Sequence, residues 1–208
     1  MEIVFGTTNA RKVDDLQKTI NEMGLDITAR SMADVGWDRG EIDEPENTLE
    51  GNSLVKAQAI HDFLKEHNID MPVVTDDAGL YVEVLGDEPG VETARYAEEE
   101  IKQDPSLPKY QGVIKLLEKL KDEENRKAYY RCVVTTIYPD GSYTQDDGRS
   151  YGTIATEILG DLTKPYFWSV FVLEGTDTAF NRLEENQLEN TYRRVALRKT
   201  LTKLNEHK

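Results

Sequence analysis

A single cysteine, Cys132, leaves this 208-residue chain without the means to form an internal disulfide and removes zinc motifs built on cysteine pairs. Basic residues are in deficit: 25 Lys and Arg stand against 40 Asp and Glu, a formal net charge of -15. That balance argues against a surface tracking nucleic-acid phosphates, which relies on clustered Lys and Arg. It still allows an anionic small molecule, because one pocket needs only a few local cations. No apolar run approaches the length of a membrane span, and "MEIVFGTTNA" holds no basic segment followed by a long apolar stretch. A cytoplasmic protein with neither a nucleic-acid nor a membrane partner is the expectation. His61, His67 and His207 show no ligand spacing, and no Ser-His-Asp arrangement can be assembled. Internal repeats, low-complexity tracts and Pro/Gly/Ser-rich linkers are missing too, so the whole chain, 1–208, is read as one domain of two lobes.

The hydrophobic content, 38%, is enough for a substantial core. "EIVFG" reads as a short buried strand, and Val13, Leu16, Ile20 and Met23 recur at helical spacing up to Gly24, a plausible stop. "LDITAR" suits a second strand. An acidic loop through "DRGEIDEPENT" leads to a helix starting near Asn47 or Thr48, with Leu54, Ala57, Phe63 and Leu64 available for the core. "PVVT" and "LYVEVLG" read as two strands, the second placing Leu80, Val82 and Val84 on one face, with a turn at the acids between them. After a loop rich in Gly, Pro and Glu, a helix is expected around "YQGVIKLLEKLK". "AYYRCVVTTIY" and "YTQDDG" form a hairpin across "PDGS". "GTIATEIL" and "YFWSVFVL" are further strands, and the tail from Asp177 is mainly helical. The order predicts an α/β protein with an elongated mixed sheet flanked by helices.

Three places carry possible chemistry. In "FGTTNARK", Thr7, Thr8 and Asn9 sit between a strand and a helix, where free backbone N–H groups and the helix dipole favour an anion. Arg11 and Lys12 in the first turn work against that dipole unless an anion is present; alternatively, Asn9 caps the helix and both bases are solvated. Asp76 and Asp77 raise each other's pKa unless a cation compensates, and Mg²⁺ uses one or two carboxylates plus substrate phosphates. The alternative is a turn in which the Asp side chains bond local backbone. Lys56, in an apolar part of its helix, either reaches a phosphate or snorkels from the core edge. Glu44 belongs to an acidic loop that reads first as surface charge.

Taken together, "TTNARK", "EPENTLEGNSLVKAQA", "VVTDDAGLYVEVLGDEPGVETARYA" and "NTYRRVAL" resemble, in order and spacing, the inosine triphosphate pyrophosphatase family, the non-canonical purine nucleoside triphosphate pyrophosphatases. The densest agreement runs from Asp76 to Tyr96. The resemblance implies hydrolysis of a nucleoside triphosphate such as ITP, XTP or dITP to the monophosphate and pyrophosphate, with Mg²⁺, in a homodimer with the active-site cleft between two lobes. It assigns Thr7, Thr8, Asn9, Lys12 and Lys56 to the substrate phosphates and Glu44 and Asp77 to the metal. Asp77 is also implied as proton acceptor, with Asp76 beside it, and Arg193 falls on the arginine of the family's C-terminal Ser-His-Arg motif.

Departures from the family pattern gather on the base subsite. Ala78 stands where serine is usual, and the segment Lys164–Ser169 replaces the family's base-reading Gly-Phe-Gly-Tyr-Asp-Pro. Gln187 replaces a lysine, and Thr191 and Tyr192 replace the serine and histidine of Ser-His-Arg. Tyr166, Phe167, Trp168 and Tyr192 form either an aromatic wall for a base or part of the core. The phosphate and metal residues remain. The alternatives are therefore the same chemistry on a different nucleotide, or a non-catalytic nucleotide-binding regulatory dimer.

Overall fold

The first apolar run becomes β1 (Glu2–Phe5), with Ile3, Val4 and Phe5 buried, in a computed structural model that describes residues 1–7, 10–163 and 165–207. It is followed by α1 (Ala10–Glu22), β2 (Thr28–Ser31), α2 (Leu49–Glu66), β3 (Val73–Val82), β4 (Glu88–Gly90), α3 (Glu98–Gln103) and α4 (Gln111–Lys119). Then come β5 (Lys127–Ile137), β6 (Tyr143–Ile154), β7 (Phe171–Leu173), α5 (Glu185–Leu188) and α6 (Tyr192–Glu206). The strands form a mixed sheet in the order β2-β1-β3-β5-β6-β7, and β4 pairs with β3 off that path. β1 runs parallel to β2 and β3, whereas β3–β4 and β6–β7 are antiparallel. The β5–β6 connection closes with Tyr138 N–H donating to the Ser142 carbonyl at 2.8 Å, too short a link for parallel strands.

The chain divides into two compact units, with β3, β5 and β6 contributing to both. The first holds residues 1–77, 132–148 and those from Arg193 on. Its core sets Ala57, Ile60, Phe63 and Leu64 of α2 against Val4, Val73 and Ile137. These positions lie on one stripe of α2, and full burial of each large side chain is worth about 1.5–3 kcal/mol. α2 starts where the sequence predicts, because the Thr48 hydroxyl accepts from Gly51 N–H at 3.0 Å. Asn52, buried within α2, accepts from Glu46 N–H at 2.8 Å and ties the acidic loop to the helix.

The second unit holds residues 78–131 and 149–192. Its core is aromatic: Tyr130 stacks on Tyr192 with ring centroids 4.9 Å apart, Phe171 meets Tyr130 edge-on at 5.0 Å, and Phe180 touches both. Gly79 of β3 faces Gly90 of β4 so closely that a Cβ at Gly79 would lie 2.3 Å from the Gly90 carbonyl oxygen.

Several sequence expectations are corrected. The turn expected at the twin acids does not exist: Asp76 and Asp77 lie inside the uninterrupted β3. Asp is unfavourable in strands, but cations packed around Asp76 and the β4 pairing hold the segment extended. β3 stops at Val82, and Val84 is exposed instead of joining Leu80 and Val82 in the core. "YTQDDG" and "GTI" belong to one strand, β6. Most of "YFWSVFVL" is not strand: Tyr166–Ser169 is a tight helical turn closed by Ser169 Oγ donating to the Tyr166 carbonyl at 2.7 Å. Burial of Phe167 accounts for that curl, which turns the ring inward.

Candidate active site

The candidate site is built from the first unit around the middle of β3. Asp76 is 8% exposed, so its carboxylate needs compensation. Arg193, at the start of α6, forms an ion pair with it. A cation in the first turn of a helix opposes the dipole, and Asp76 offsets that cost. Lys56, two turns into α2, donates from Nζ to the Asp76 carbonyl at 2.9 Å and forms an ion pair with Glu44. Glu44 is thereby brought to β3, helped by the anchoring of its loop to Asn52.

The electrostatics follow from this crowding. Burial raises the Asp76 pKa, but Arg193, Lys12 and Lys56 together outweigh it and hold the carboxyl down at about 2. Lys12 is affected in the opposite sense: attraction to Asp76 raises its pKa, yet burial and repulsion from Arg193 and Lys56 lower it overall. Cations from three helices, α1, α2 and α6, therefore crowd one carboxylate. Such a cluster favours a further anion, which would relieve the mutual repulsion of the bases. The Cys132 thiol, fully buried, is pushed up by burial and by Asp76, so it is no thiolate nucleophile.

Alternation along β3 sends Asp76 and Asp77 to opposite faces of the strand. Thr75 shares the face of Asp77, and its hydroxyl donates to the Ser53 carbonyl of α2 at 2.7 Å. Asp77, half-buried, thus stands on the α2 side, the side to which Lys56 brings Glu44. The twin acids are not one side-by-side pair: Asp76 serves the cation cluster, and Asp77 is left to face the other way. Among the described residues no three His, Cys, Asp or Glu side chains gather as a ready-made metal cage. Thr7 is buried after β1, its N–H bonded to the Phe5 carbonyl at 2.7 Å. Thr8, Asn9 and Lys164 lie outside the described residues.

The residues assigned to the base occupy varied settings in the second unit. Phe167 is buried with its ring 6.1 Å from that of Tyr96, Trp168 packs 5.0 Å from Phe180, and Tyr192 stacks on Tyr130. The Gln187 side chain accepts from Glu184 N–H at 2.9 Å, closing the capping box of α5. Arg193, which the resemblance places at the base or substrate, is bonded to Asp76, a partner 117 positions away in the chain. The only local hint of that partnership is a basic residue at a helix start. A buried hydroxyl network joining Ser53, Thr75 and Thr135 was not legible at all, because isolated Ser and Thr carry no pattern.

Fold and site together define a mixed-sheet α/β protein with a cation-ringed strand carboxylate and a Lys56–Glu44 ion pair beside the same strand. The chain belongs to the Ham1 family, whose family model matches residues 3–203. A Bacillus subtilis (strain 168) protein, a dITP/XTP pyrophosphatase, is 29% identical over 99% of this chain and 97% of its own length. A Porphyromonas gingivalis protein of the same name is 34% identical, covering 94% of this chain and 93% of its own. Among solved structures, the Staphylococcus aureus Ham1 protein matches with a TM-score of 0.80 at 26% identity over 100% of both chains. A HAM1 protein from Coxiella burnetii shares the fold with a TM-score of 0.82 at 23% identity over 99% of both chains. The resemblance to the inosine triphosphate pyrophosphatases is borne out, as is the mixed sheet flanked by helices.

Proposed function

We propose that this protein hydrolyses non-canonical purine nucleoside triphosphates, ITP, XTP or dITP, to the monophosphate and pyrophosphate. The observation that carries the reading is the gathering of Lys12, Lys56 and Arg193 around Asp76 in a chain of formal net charge -15. Its relatives from Bacillus subtilis and Porphyromonas gingivalis, both dITP/XTP pyrophosphatases, supply the substrate class.

Glu44 and Asp77, on the α2 side of β3, are the residues that would hold Mg²⁺. Two carboxylates suit that ion, which keeps several waters and takes its remaining oxygens from phosphates. When bound, Mg²⁺ supplies charge neutralisation for the phosphates and lowers the pKa of a bound water. Asp77 accepts, at a carboxylate oxygen, the proton of the water that attacks the α-phosphorus. The bond from the α-phosphorus to the bridging oxygen breaks, and pyrophosphate leaves. Lys12 and Lys56, with Thr7, Thr8 and Asn9, which the resemblance assigns to the phosphates, stabilise the charge that develops on it. Asp76 keeps Arg193 and the lysines assembled. The resemblance assigns Phe167, Trp168, Gln187 and Tyr192 to the base, where preference is set. The resemblance also supports action as a homodimer in the cytoplasm.

Pyrophosphate release across ITP, XTP, dITP, dUTP and the standard triphosphates, with and without Mg²⁺, tests this reading. Turnover of ITP or XTP at a kcat/KM at least about 100-fold above that for ATP or GTP is expected, the scale on which a pocket rejects a near-isostere by shape alone. Asp77→Asn should abolish turnover and leave the melting temperature near that of the wild type. Tight nucleotide binding without release on any substrate would instead favour a regulatory binder.

A further inference from the structure

Buried beneath the candidate site is a polar cluster that the proposed chemistry does not use. Ser53, Thr75 and Thr135 are each completely buried. Ser53 Oγ donates to Thr135 Oγ1 at 2.8 Å, Thr75 Oγ1 donates to the Ser53 carbonyl at 2.7 Å, and the Ser53 and Thr75 hydroxyl oxygens lie 3.2 Å apart. Gln145 of β6 extends the cluster, its Nε2 donating to Thr135 Oγ1 at 3.0 Å and to the Glu50 carbonyl in the first turn of α2 at 2.9 Å. One helix is therefore bonded through side chains to β3, β5 and β6.

Helices ordinarily pack on sheets through apolar side chains, which adhere without fixing position closely. Buried hydroxyls cost desolvation, and apolar groups of the same shape would adhere as well. What the hydroxyls add is direction: a bond from Thr75 to the Ser53 carbonyl holds only at one height and one rotation of α2 over β3. The neighbours of these residues are the working groups. Lys56 lies three positions after Ser53 on the same helix face, and Asp76 directly follows Thr75. The clamp thus lies one helical turn from the 2.9 Å contact between Lys56 Nζ and the Asp76 carbonyl.

We propose that Ser53, Thr75 and Thr135 form a positioning clamp that sets the register of α2 on β3 and so places Lys56, with its partner Glu44, for catalysis. The consequence for activity rests on the function proposed above; the geometric role does not. Thr75→Val keeps the shape and removes the hydroxyl. Its kcat for ITP should fall about tenfold or more, the scale on which small misplacements act. KM should change by less than about threefold, since misplacement weakens the transition state more than ground-state binding. Thr75→Ser, which retains the hydroxyl, should restore most of kcat. Ser53→Ala suits a helix interior and stays testable even if Thr75→Val fails to fold; it should lower kcat in the same way.

Wild-type kcat in Thr75→Val or Ser53→Ala would overturn the clamp, as would Thr75→Ser falling as far as Thr75→Val. Crystal structures of the wild type and of Thr75→Val, which lacks the bond to the Ser53 carbonyl, supply a readout independent of turnover. Lys56 Nζ should leave the Asp76 carbonyl in the variant; an unchanged contact would also overturn the proposal. If the wild type proves inactive on every triphosphate, the functional reading fails, and the crystallographic comparison still decides the clamp.

Discussion

Asp76 shows how a carboxylate becomes useful to a protein already rich in them. Its pKa of about 2 lies below the ordinary 3.8 because Arg193, Lys12 and Lys56 outweigh the opposing effect of burial. In the unfolded chain the same group titrates near its ordinary value, so the unfolded state binds more protons between about pH 4 and pH 2. The stabilisation from Asp76 is therefore complete above about pH 4 and is lost as pH falls through about 2, a contribution of about 2 kcal/mol. Removing Arg193 leaves the buried carboxylate short of its closest cation. Because the Arg193 side chain is 30% exposed, Arg193→Gln should cost about 2–3 kcal/mol at pH 7, below the range for fully buried pairs. Urea unfolding from pH 7 to pH 2.5 should show the gap between wild type and variant narrowing below pH 4. A gap that stays constant with pH would deny that this ion pair lowers the Asp76 pKa. At the same scale, Lys12→Ala should weaken binding of a nucleoside triphosphate more than that of the matching monophosphate. Equal losses in calorimetric titration would remove Lys12 from the phosphate site.

At the scale of elements, β3 departs furthest from its own local preferences. Asp, Asp, Ala and Gly in the middle of a strand are poor strand formers, and the sequence reading placed a turn there for that reason. Two non-local facts reverse the preference. Cations from α1, α2 and α6 crowd Asp76, and β4 lies against Gly79 so closely that only hydrogen fits between them. Gly79→Ala must push β4 away or break its pairing at Leu80↔Gly90 and should destabilise by about 1–3 kcal/mol, the usual cost of overpacking. Thermal melting checks this, and a melting temperature equal to that of the wild type would mean that β4 yields freely. β1, α1, α2 and β5 were legible because apolar periodicity and the Thr48 cap are local signals. The turn at Tyr166–Ser169 was not, because "YFWSVFVL" is rich in strand formers and only the burial of Phe167 explains its curl. Arg193 was legible as a site residue through its motif, but its bond to Asp76 was not, since nothing local links the two.

Across the whole molecule acids predominate, whereas at the site Lys12, Lys56 and Arg193 match Asp76, Asp77 and Glu44 one for one. A chain at -15 repels a polyphosphate at a distance, so the gathering of bases must be local and a divalent cation has work to do. A chelator should abolish pyrophosphate release, and added Mg²⁺ should restore it. Mg²⁺ should also raise the melting temperature, because a ligand of the folded state shifts the unfolding equilibrium. Glu44→Gln should weaken that rise. Full turnover in excess chelator would remove the metal from the mechanism.

Composition, periodicity and motif order were enough to establish the α/β class, most helices and strands, the family and the roster of candidate residues, because each of these is written in local spacing. Only the tertiary structure decided that the twin acids lie in a strand facing opposite ways, that Arg193 bonds Asp76, and that hydroxyls from separate elements tie α2 to the sheet. Those outcomes depend on which charges and hydroxyls meet once distant segments pack together, and the energy of such meetings leaves no periodic trace along the chain.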